Sequence, residues 1–520
     1  MNMHIIAARI LLIITATLPI AHLYMWENHS LFDSPLTHRI WITWCELAII
    51  SLTIAIIPFN IFHDIKNDKP LSAVLFLWLA CGYLSILFSE NPYASTVRQV
   101  EISIHILFAY CIIKTLGYAP TGKYLIYGVI VAFLYSLFYI LLLALAAGEK
   151  EYPWTTGIPF FSNIRHWGYL QVIALPLSYY MILSKNTKIY GLAAFTLIWA
   201  SIFWAGGRGT FLTACIISLL VFPWILKPKL KIYLTSLILI GLALILSIIT
   251  DVNHPSLSIK HLFYLKEGTT GYTSINSFSA GRIGIYLDSI KQILNESFLF
   301  GLGPDNFRYT TPPIHIMATH PHSFLIQIFY SNGLTGLVLT GLLGLIILNK
   351  VKRSTTLTNK ILMLTLISAL GASAVDGVFY HSYSLFCLML IIALSIHESS
   401  PLKMVNSNKN KWPALIFALS ATPLLIVWLI HSQTYWQYQK PLETPQQLAI
   451  IHNFPSIILS QNWLHNDQNK TLVIESLIIG SQYSDNQCGH LLMLDLKYQH
   501  DANQQISQNC HPSILRHSMK

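Results

Sequence analysis

The sequence predicts an all-α polytopic membrane protein, and three observations predict this class. Hydrophobic residues make up 54% of the 520 residues and charged residues only 10%, whereas soluble domains carry roughly 25% charged residues. The mean hydropathy is +0.54. Thirteen apolar runs approach or exceed the roughly 20 residues that a membrane-spanning helix needs. These runs are 4–26, 39–62, 70–89, 97–116, 123–147, 166–184, 189–206, 209–226, 231–250, 322–347, 360–379, 380–396 and 412–432.

The positive charges between these runs predict their orientation. Loops on one side hold fifteen lysines and one arginine, and such an excess marks the cytoplasmic side. The N-terminus is therefore expected in the cytoplasm and, after thirteen crossings, the C-terminal tail on the outer side of the membrane. The net charge of +10 then reflects orientation, and no nucleic-acid partner is expected.

The outer loops differ in the cation that they use. They carry six arginines against four lysines. Arginine forms two parallel hydrogen bonds to a phosphate or carboxylate, whereas lysine acts as a hydrated point charge. The outer face is therefore predicted to bind an anion such as a phosphate ester, although interfacial anchoring is an alternative for single positions. The six arginines are Arg39, Arg98, Arg165, Arg208, Arg282 and Arg308.

Two stretches interrupt the hydropathic pattern. The first is the outer loop 251–321, where an amphipathic helix is expected from Gly281 to about Asn295, followed by a turn over 301–307. The second is the tail 433–520, expected to be a small domain of helical or mixed type on the outer side, following a transmembrane domain over 1–432. Residues Cys488 and Cys510 of this tail would lie in an oxidising compartment, where a disulfide could stabilise a small domain. The other five cysteines fall in apolar runs and are expected to pack in the core.

Three short patterns carry candidate chemistry. Arg208 stands among glycines between two runs, where the backbone can turn sharply and approach a ligand. Arg282 follows Gly281 at the start of the loop helix. His322 begins a pattern of His-Ser, nine residues and Gly-x-x-Gly that ends at Gly336, and His320 lies two residues before it. Imidazoles exchange protons near neutral pH, and the glycines predict close approach of a neighbouring helix.

Together these patterns resemble those of the O-antigen ligase and polymerase superfamily of bacterial inner membranes, which includes protein O-oligosaccharyltransferases. The resembling parts are Arg208-Gly209, Gly281-Arg282 with the Gly-x-Gly-x-x-x-Phe turn over 301–307, and the histidine signature from His322 to Gly336, in the family's order. The resemblance covers roughly residues 70–400.

The resemblance implies a glycan donor carried on undecaprenyl diphosphate and a metal-independent, inverting transfer without cofactors. His322 is then expected to be the catalytic base, with His320 as an orienting partner. Arg208 and Arg282 are expected to bind the diphosphate, and the other outer candidates are Arg165 and Arg308. Asp376 lies near the outer end of two runs, where an acid is a functional candidate. The proline that often follows in oligosaccharyltransferases is missing, so Asp376 is assigned a supporting role only.

The acceptor stays open between a protein hydroxyl, as in a pilin-like protein, and lipid A-core. The long tail favours a protein acceptor modestly. One alternative is a polysaccharide polymerase, although the full histidine signature is more typical of ligases and transferases. A transporter or flippase of lipid-linked glycans is a second alternative, but the outer charges cluster on one face instead of lining a path across the membrane.

Overall fold

The computed structural model describes residues 3–28, 35–58, 68–119, 121–147, 154, 158–161, 163–251, 257–263, 282–307, 320–354, 356–399 and 412–438. Within these ranges the secondary structure is helical, with no strand. The helices are α1 (Met3–Asn28), α2 (Pro35–Ile56), α3 (Lys69–Ser85), α4 (Pro92–Tyr118), α5 (Lys123–Ala147), α6 (Ile164–Leu183), α7 (Lys188–Ala205), α8 (Arg208–Leu226, with a π-helical turn at Ile217–Val221), α9 (Leu230–Ile249), α10 (Ser258–Phe263), α11 (Arg282–Glu296), α12 (Phe324–Arg353), α13 (Leu357–Ser373), α14 (Ser382–Ser399) and α15 (Trp412–Tyr438).

The predicted fold class is confirmed. Among the described residues, ten helices are long and apolar enough to cross a membrane, and each of the thirteen predicted runs overlaps a helix. Two of the remaining segments, Leu357–Ser373 and Ala421–Gln433, are shorter apolar helices. The third, α6, has 20 residues but is not among the ten. The total of thirteen crossings stays a prediction.

The chain forms two compact units. The first consists of Met1–Ser72, Ile104–Gly271 and Leu343–Leu419. Its helices pack closely, since a Cβ placed on Gly128 of α5 would lie 2.1 Å from the carbonyl oxygen of Ala16 on α1. The hydroxyl of Ser368 on α13 donates to the carbonyl of Val172 on α6 at 2.7 Å. This unit contains Arg165, Arg208 and Asp376.

The second unit consists of Ala73–Ser103, Tyr272–Leu342 and Ser420–Lys520. Within it α11 forms where the amphipathic pattern predicted a loop helix, and the turn over 301–307 follows it. The unit's small hydrophobic core is built from the buried face of α11, the turn and the start of α12. Its members are Ile285, Ile293, Leu302, Phe307 and Tyr330.

The first residues of the predicted C-terminal domain, 433–520, belong to α15, which continues to Tyr438. The rest of that domain, with Cys488 and Cys510, lies outside the described residues. Three of the other five cysteines are buried and two are partly buried, all as free thiols. The prediction that these five pack inside the helical part of the protein agrees with this burial.

Candidate functional site

A break in α12 positions the histidine signature. Gly333 has a φ of 64° and a ψ of −165°, so the helix from Phe324 to Arg353 consists of two pieces that meet at this residue. The N–H groups of Leu334 and Thr335 would bond to the carbonyls of residues 330 and 331 in a continuous helix. They donate instead to the carbonyls of Phe298 and Leu299, at 2.9 and 3.1 Å.

The carbonyls before the break are satisfied from outside the helix as well. Those of Tyr330 and Ser331 accept from the N–H groups of Leu302 and Gly303, at 2.8 and 3.0 Å. The carbonyl of Asn332 accepts from the Cys81 thiol at 3.5 Å. The segment 298–303 therefore replaces helical hydrogen bonds on both sides of the break, which avoids leaving buried backbone groups unsatisfied.

The glycines of two sequence patterns make this insertion possible. Gly301 and Gly333 both have positive φ. A Cβ on Gly301 would lie 2.5 Å from the backbone nitrogens of Asn332 and Gly333, and a Cβ on Gly333 would lie 2.4 Å from the Leu299 carbonyl. From the sequence we expected Gly333 and Gly336 to allow the close approach of a neighbouring helix. The neighbour of Gly333 is instead a loop backbone, because the non-helical residue opens the helix to an inserted segment.

The histidine turn lies directly before α12. His320 is buried and His322 is half-buried, and their ring centroids are 4.3 Å apart with the planes inclined by 52°. His322 has a left-handed backbone, with a φ of 55°, which costs an L-residue about 1–2 kcal/mol. Its carbonyl accepts a hydrogen bond of 3.0 Å from the hydroxyl of Tyr286 on α11. A half-buried imidazole is therefore held in an unusual conformation within the second unit.

Arg282 is the first residue of α11, one helical turn before Tyr286. Residues four apart share a helix face, so this arginine and the tyrosine that contacts the histidine turn lie on one face of α11. Ile285 and Ile293 follow Arg282 by three and eleven residues, so they lie on the same side of the helix and anchor it in the second unit's core. The second unit therefore contains three predicted site residues, Arg282, His320 and His322, and Tyr286 joins the helix of the first to the turn of the other two.

The turn at Arg208 belongs to the first unit. Helix α7 ends at Ala205, Gly206 adopts the left-handed conformation with a φ of 66°, and α8 begins at Arg208. The N-cap residue, Gly207, supplies no side-chain cap. This geometry agrees with the predicted sharp turn, and it places the guanidinium at the positive end of a helix dipole.

Asp376 lies in the loop between α13 and α14. One of its carboxylate oxygens accepts from the hydroxyl of Tyr169 at 2.6 Å and from the N–H of Gly377 at 2.9 Å. The preceding residue, Val375, lies 3.1 Å from a Cβ placed on Gly209. The Asp376 loop therefore packs beside the Arg208 turn, and the acid is held by a tyrosine of α6.

Two histidines extend this group. The rings of His166 on α6 and His381 in the Asp376 loop have centroids 3.6 Å apart, and the ring of Tyr169 lies 5.4 Å from each. Arg165 is exposed in the first turn of α6, next in sequence to His166. The predicted residue Arg308 lies outside the described residues.

Sequence reasoning missed the tyrosines of both units. Tyr286 follows Arg282 at a helical spacing of four, and Tyr169 follows Arg165 at the same spacing. The sequence signal for these tyrosines is therefore their position, one helical turn after an outer arginine. Two such tyrosines contact the histidine turn and the acidic loop, respectively.

These features define a class, a multi-pass helical membrane protein with basic and imidazole groups in preorganised turns. Comparison with known proteins shows that residues 192–341 match the family model described as O-antigen ligase. This match supports the resemblance to the O-antigen ligase superfamily that the motifs predicted. No curated protein matches the chain. The match supports a membrane function in glycan transfer of the ligase or polymerase type.

The matched segment covers only part of the candidate residues. It includes Arg208, Arg282, His320 and His322, together with the glycine turn and the break at Gly333. Arg165 and Asp376 fall outside it. The histidine signature and the two arginines that precede it therefore lie within the matched segment, and their roles stay predictions.

Proposed function

We propose that this protein transfers a glycan from undecaprenyl diphosphate to an acceptor hydroxyl on the periplasmic face of the inner membrane. In this reaction the anomeric C–O bond to the diphosphate breaks and its electron pair remains on the diphosphate. A new C–O bond forms to the acceptor, whose hydroxyl proton passes to a base. The observation that carries the proposal is the half-buried imidazole of His322, held in a left-handed turn beside His320.

The proposed base is His322. An attacking hydroxyl is a weak nucleophile and loses its proton as the new bond forms, a role that suits a neutral imidazole. A strained backbone that the surrounding structure maintains is characteristic of preorganised sites. The buried ring of His320 lies against His322 and is proposed to orient it.

The proposed diphosphate ligands are Arg208 and Arg282. Each is the first residue of its helix, where main-chain N–H groups and the helix dipole favour an anion in addition to the guanidinium. Negative charge grows on the leaving diphosphate in the transition state, so fixed cations at this point lower the barrier. Asp376, held by Tyr169 beside the Arg208 turn, is proposed to support this arrangement without taking part in bond breaking.

The acceptor is proposed to be a protein hydroxyl or lipid A-core. A deletion strain distinguishes them, because loss of lipopolysaccharide banding indicates a ligase and a mass shift of a pilin indicates a protein transferase. Loss of the chain-length distribution alone would indicate a polymerase.

The test of the base uses a substitution that keeps the turn. Asparagine tolerates the left-handed region better than most residues, so His322→Asn should preserve the backbone while removing the imidazole. Transfer by the purified protein, measured with lipid-linked donor from the deletion strain's membranes, should fall by about 10²–10⁴-fold. His4→Ala is the control, since it removes a half-buried histidine of α1 that lies outside the candidate site and makes a hydrogen bond of 2.8 Å to the carbonyl of Ile56. Wild-type transfer by His322→Asn would refute the assignment of the base.

A further inference from the structure

The geometry points to Tyr286 as a positioning residue that fixes the backbone, and hence the ring, of His322. This inference rests on the proposed function of His322, but the contact itself does not. The Tyr286 hydroxyl donates to the His322 carbonyl at 3.0 Å, across 36 residues of sequence. No sequence pattern or family match assigns a role to this tyrosine.

The bond acts at the point where the chain is strained. The His322 carbonyl, its Cα and the direction of its side chain move together, because rotation of the backbone out of the left-handed region reorients all three. A donor that holds the carbonyl in place therefore also holds the imidazole in place. With the hydroxyl removed, the turn can relax towards ordinary backbone conformations, which takes the ring away from its position.

The donor itself belongs to a rigid frame. Ile285 and Ile293 of α11 are buried in the second unit's core, and a second hydrogen bond joins α11 to α12, from the hydroxyl of Tyr330 to Gln292 at 3.2 Å. The hydroxyl of Tyr286 contacts the histidine turn, whereas the hydroxyl of Tyr330 donates back to α11. Since Arg282 lies one turn before Tyr286, the same helix carries a proposed diphosphate ligand and the residue that orients the proposed base.

This arrangement supplies a matched pair of variants. Tyr286→Phe and Tyr330→Phe each remove one hydroxyl and one hydrogen bond of similar length that ties α11 to the segment around α12, and both keep the ring. A purely structural role predicts that the two variants behave alike. A positioning role predicts that only Tyr286→Phe affects His322.

Two measurements on the full-length protein test the inference. Amide hydrogen exchange followed by mass spectrometry should show faster exchange in the peptide that contains residues 320–324 for Tyr286→Phe, by about tenfold, and wild-type exchange there for Tyr330→Phe. The kcat of glycan transfer should fall by about tenfold in Tyr286→Phe, with KM for the donor unchanged. Tyr330→Phe should retain the wild-type kcat.

The outcomes separate the two proposals. Unchanged exchange at residues 320–324 in Tyr286→Phe would overturn the positioning role, whatever the activity. Faster exchange with wild-type kcat, while His322→Asn is inactive, would also overturn it and would leave the base in place. If His322→Asn transfers glycan normally, the proposed function of His322 fails independently of the exchange result.

Discussion

The break in α12 makes Gly333 the position where a single methyl group should do most harm. Gly333→Ala introduces a Cβ that would lie 2.4 Å from the carbonyl carbon and oxygen of Leu299 and 2.5 Å from the nitrogen of Phe300. Both neighbours are backbone, so no side chain can rotate away. The residue also has a φ of 64° and a ψ of −165°, a combination that is essentially restricted to glycine.

The expected destabilisation follows from two contributions. Holding alanine in this region costs about 1–3 kcal/mol. Relief of the clash requires the inserted segment to move, which breaks the hydrogen bonds from Leu334 to Phe298 and from Thr335 to Leu299, each worth about 1 kcal/mol. The free energy of unfolding should therefore fall by about 3–5 kcal/mol.

Two glycines of the same helix serve as controls. A Cβ on Gly341 or on Gly344 meets no atom within 4 Å, so Gly341→Ala and Gly344→Ala should be neutral or stabilise the helix by up to about 1 kcal/mol. Thermal unfolding of the detergent-solubilised variants measures the difference. A midpoint for Gly333→Ala equal to that of Gly344→Ala would refute the account of the break.

Two other predictions concern charge and orientation. Arg208→Lys and Arg282→Lys keep the charge but lose the planar fork, so each should transfer glycan at least about tenfold more slowly at normal expression. The exposed Arg353→Lys is the control and should match wild type. Added magnesium should restore transfer in neither Arg208→Lys nor Arg282→Lys. Near-normal transfer by both would move the diphosphate assignment to Arg165 or Arg308. A periplasmic reporter should be active when fused after Lys520 and inactive when fused after Lys352, and activity after Lys352 would reverse the predicted orientation.

The fold class could be predicted from the sequence because crossing a bilayer imposes a length and a hydropathy on every span. The amphipathic pattern likewise located α11 to within a residue, Arg282–Glu296, since its buried residues recur at helical spacing. The break at Gly333 could not be predicted in this way. A glycine inside an apolar run is compatible with close helix packing or with a non-helical residue, and only the partner, here the backbone of Leu299, decides between them.

The candidate site shows the same division. Arginine and histidine at outer turns carry chemistry that residue type and position reveal, so Arg208, Arg282 and His322 could be selected from the sequence. The roles of Tyr286 and Tyr169 depend on contacts across 36 and 207 residues. Tyrosine is common in membrane helices as an interfacial residue, and its type alone therefore gives no indication that its hydroxyl holds a particular carbonyl or carboxylate.

The break also divides α12 into two lengths. A continuous helix of 30 residues would be about 45 Å long, against a hydrocarbon core of about 30 Å. Residues 334–353 alone match that thickness at about 30 Å, which leaves residues 324–332 as a piece of about 13 Å. That piece carries Gln327, whose side chain donates to Ser331 at 3.0 Å, and it begins at the histidine turn. If residues 334–353 fill the membrane, the non-helical residue sets the height of the imidazoles in the interfacial layer, where the proposed lipid-linked donor and an acceptor hydroxyl would meet.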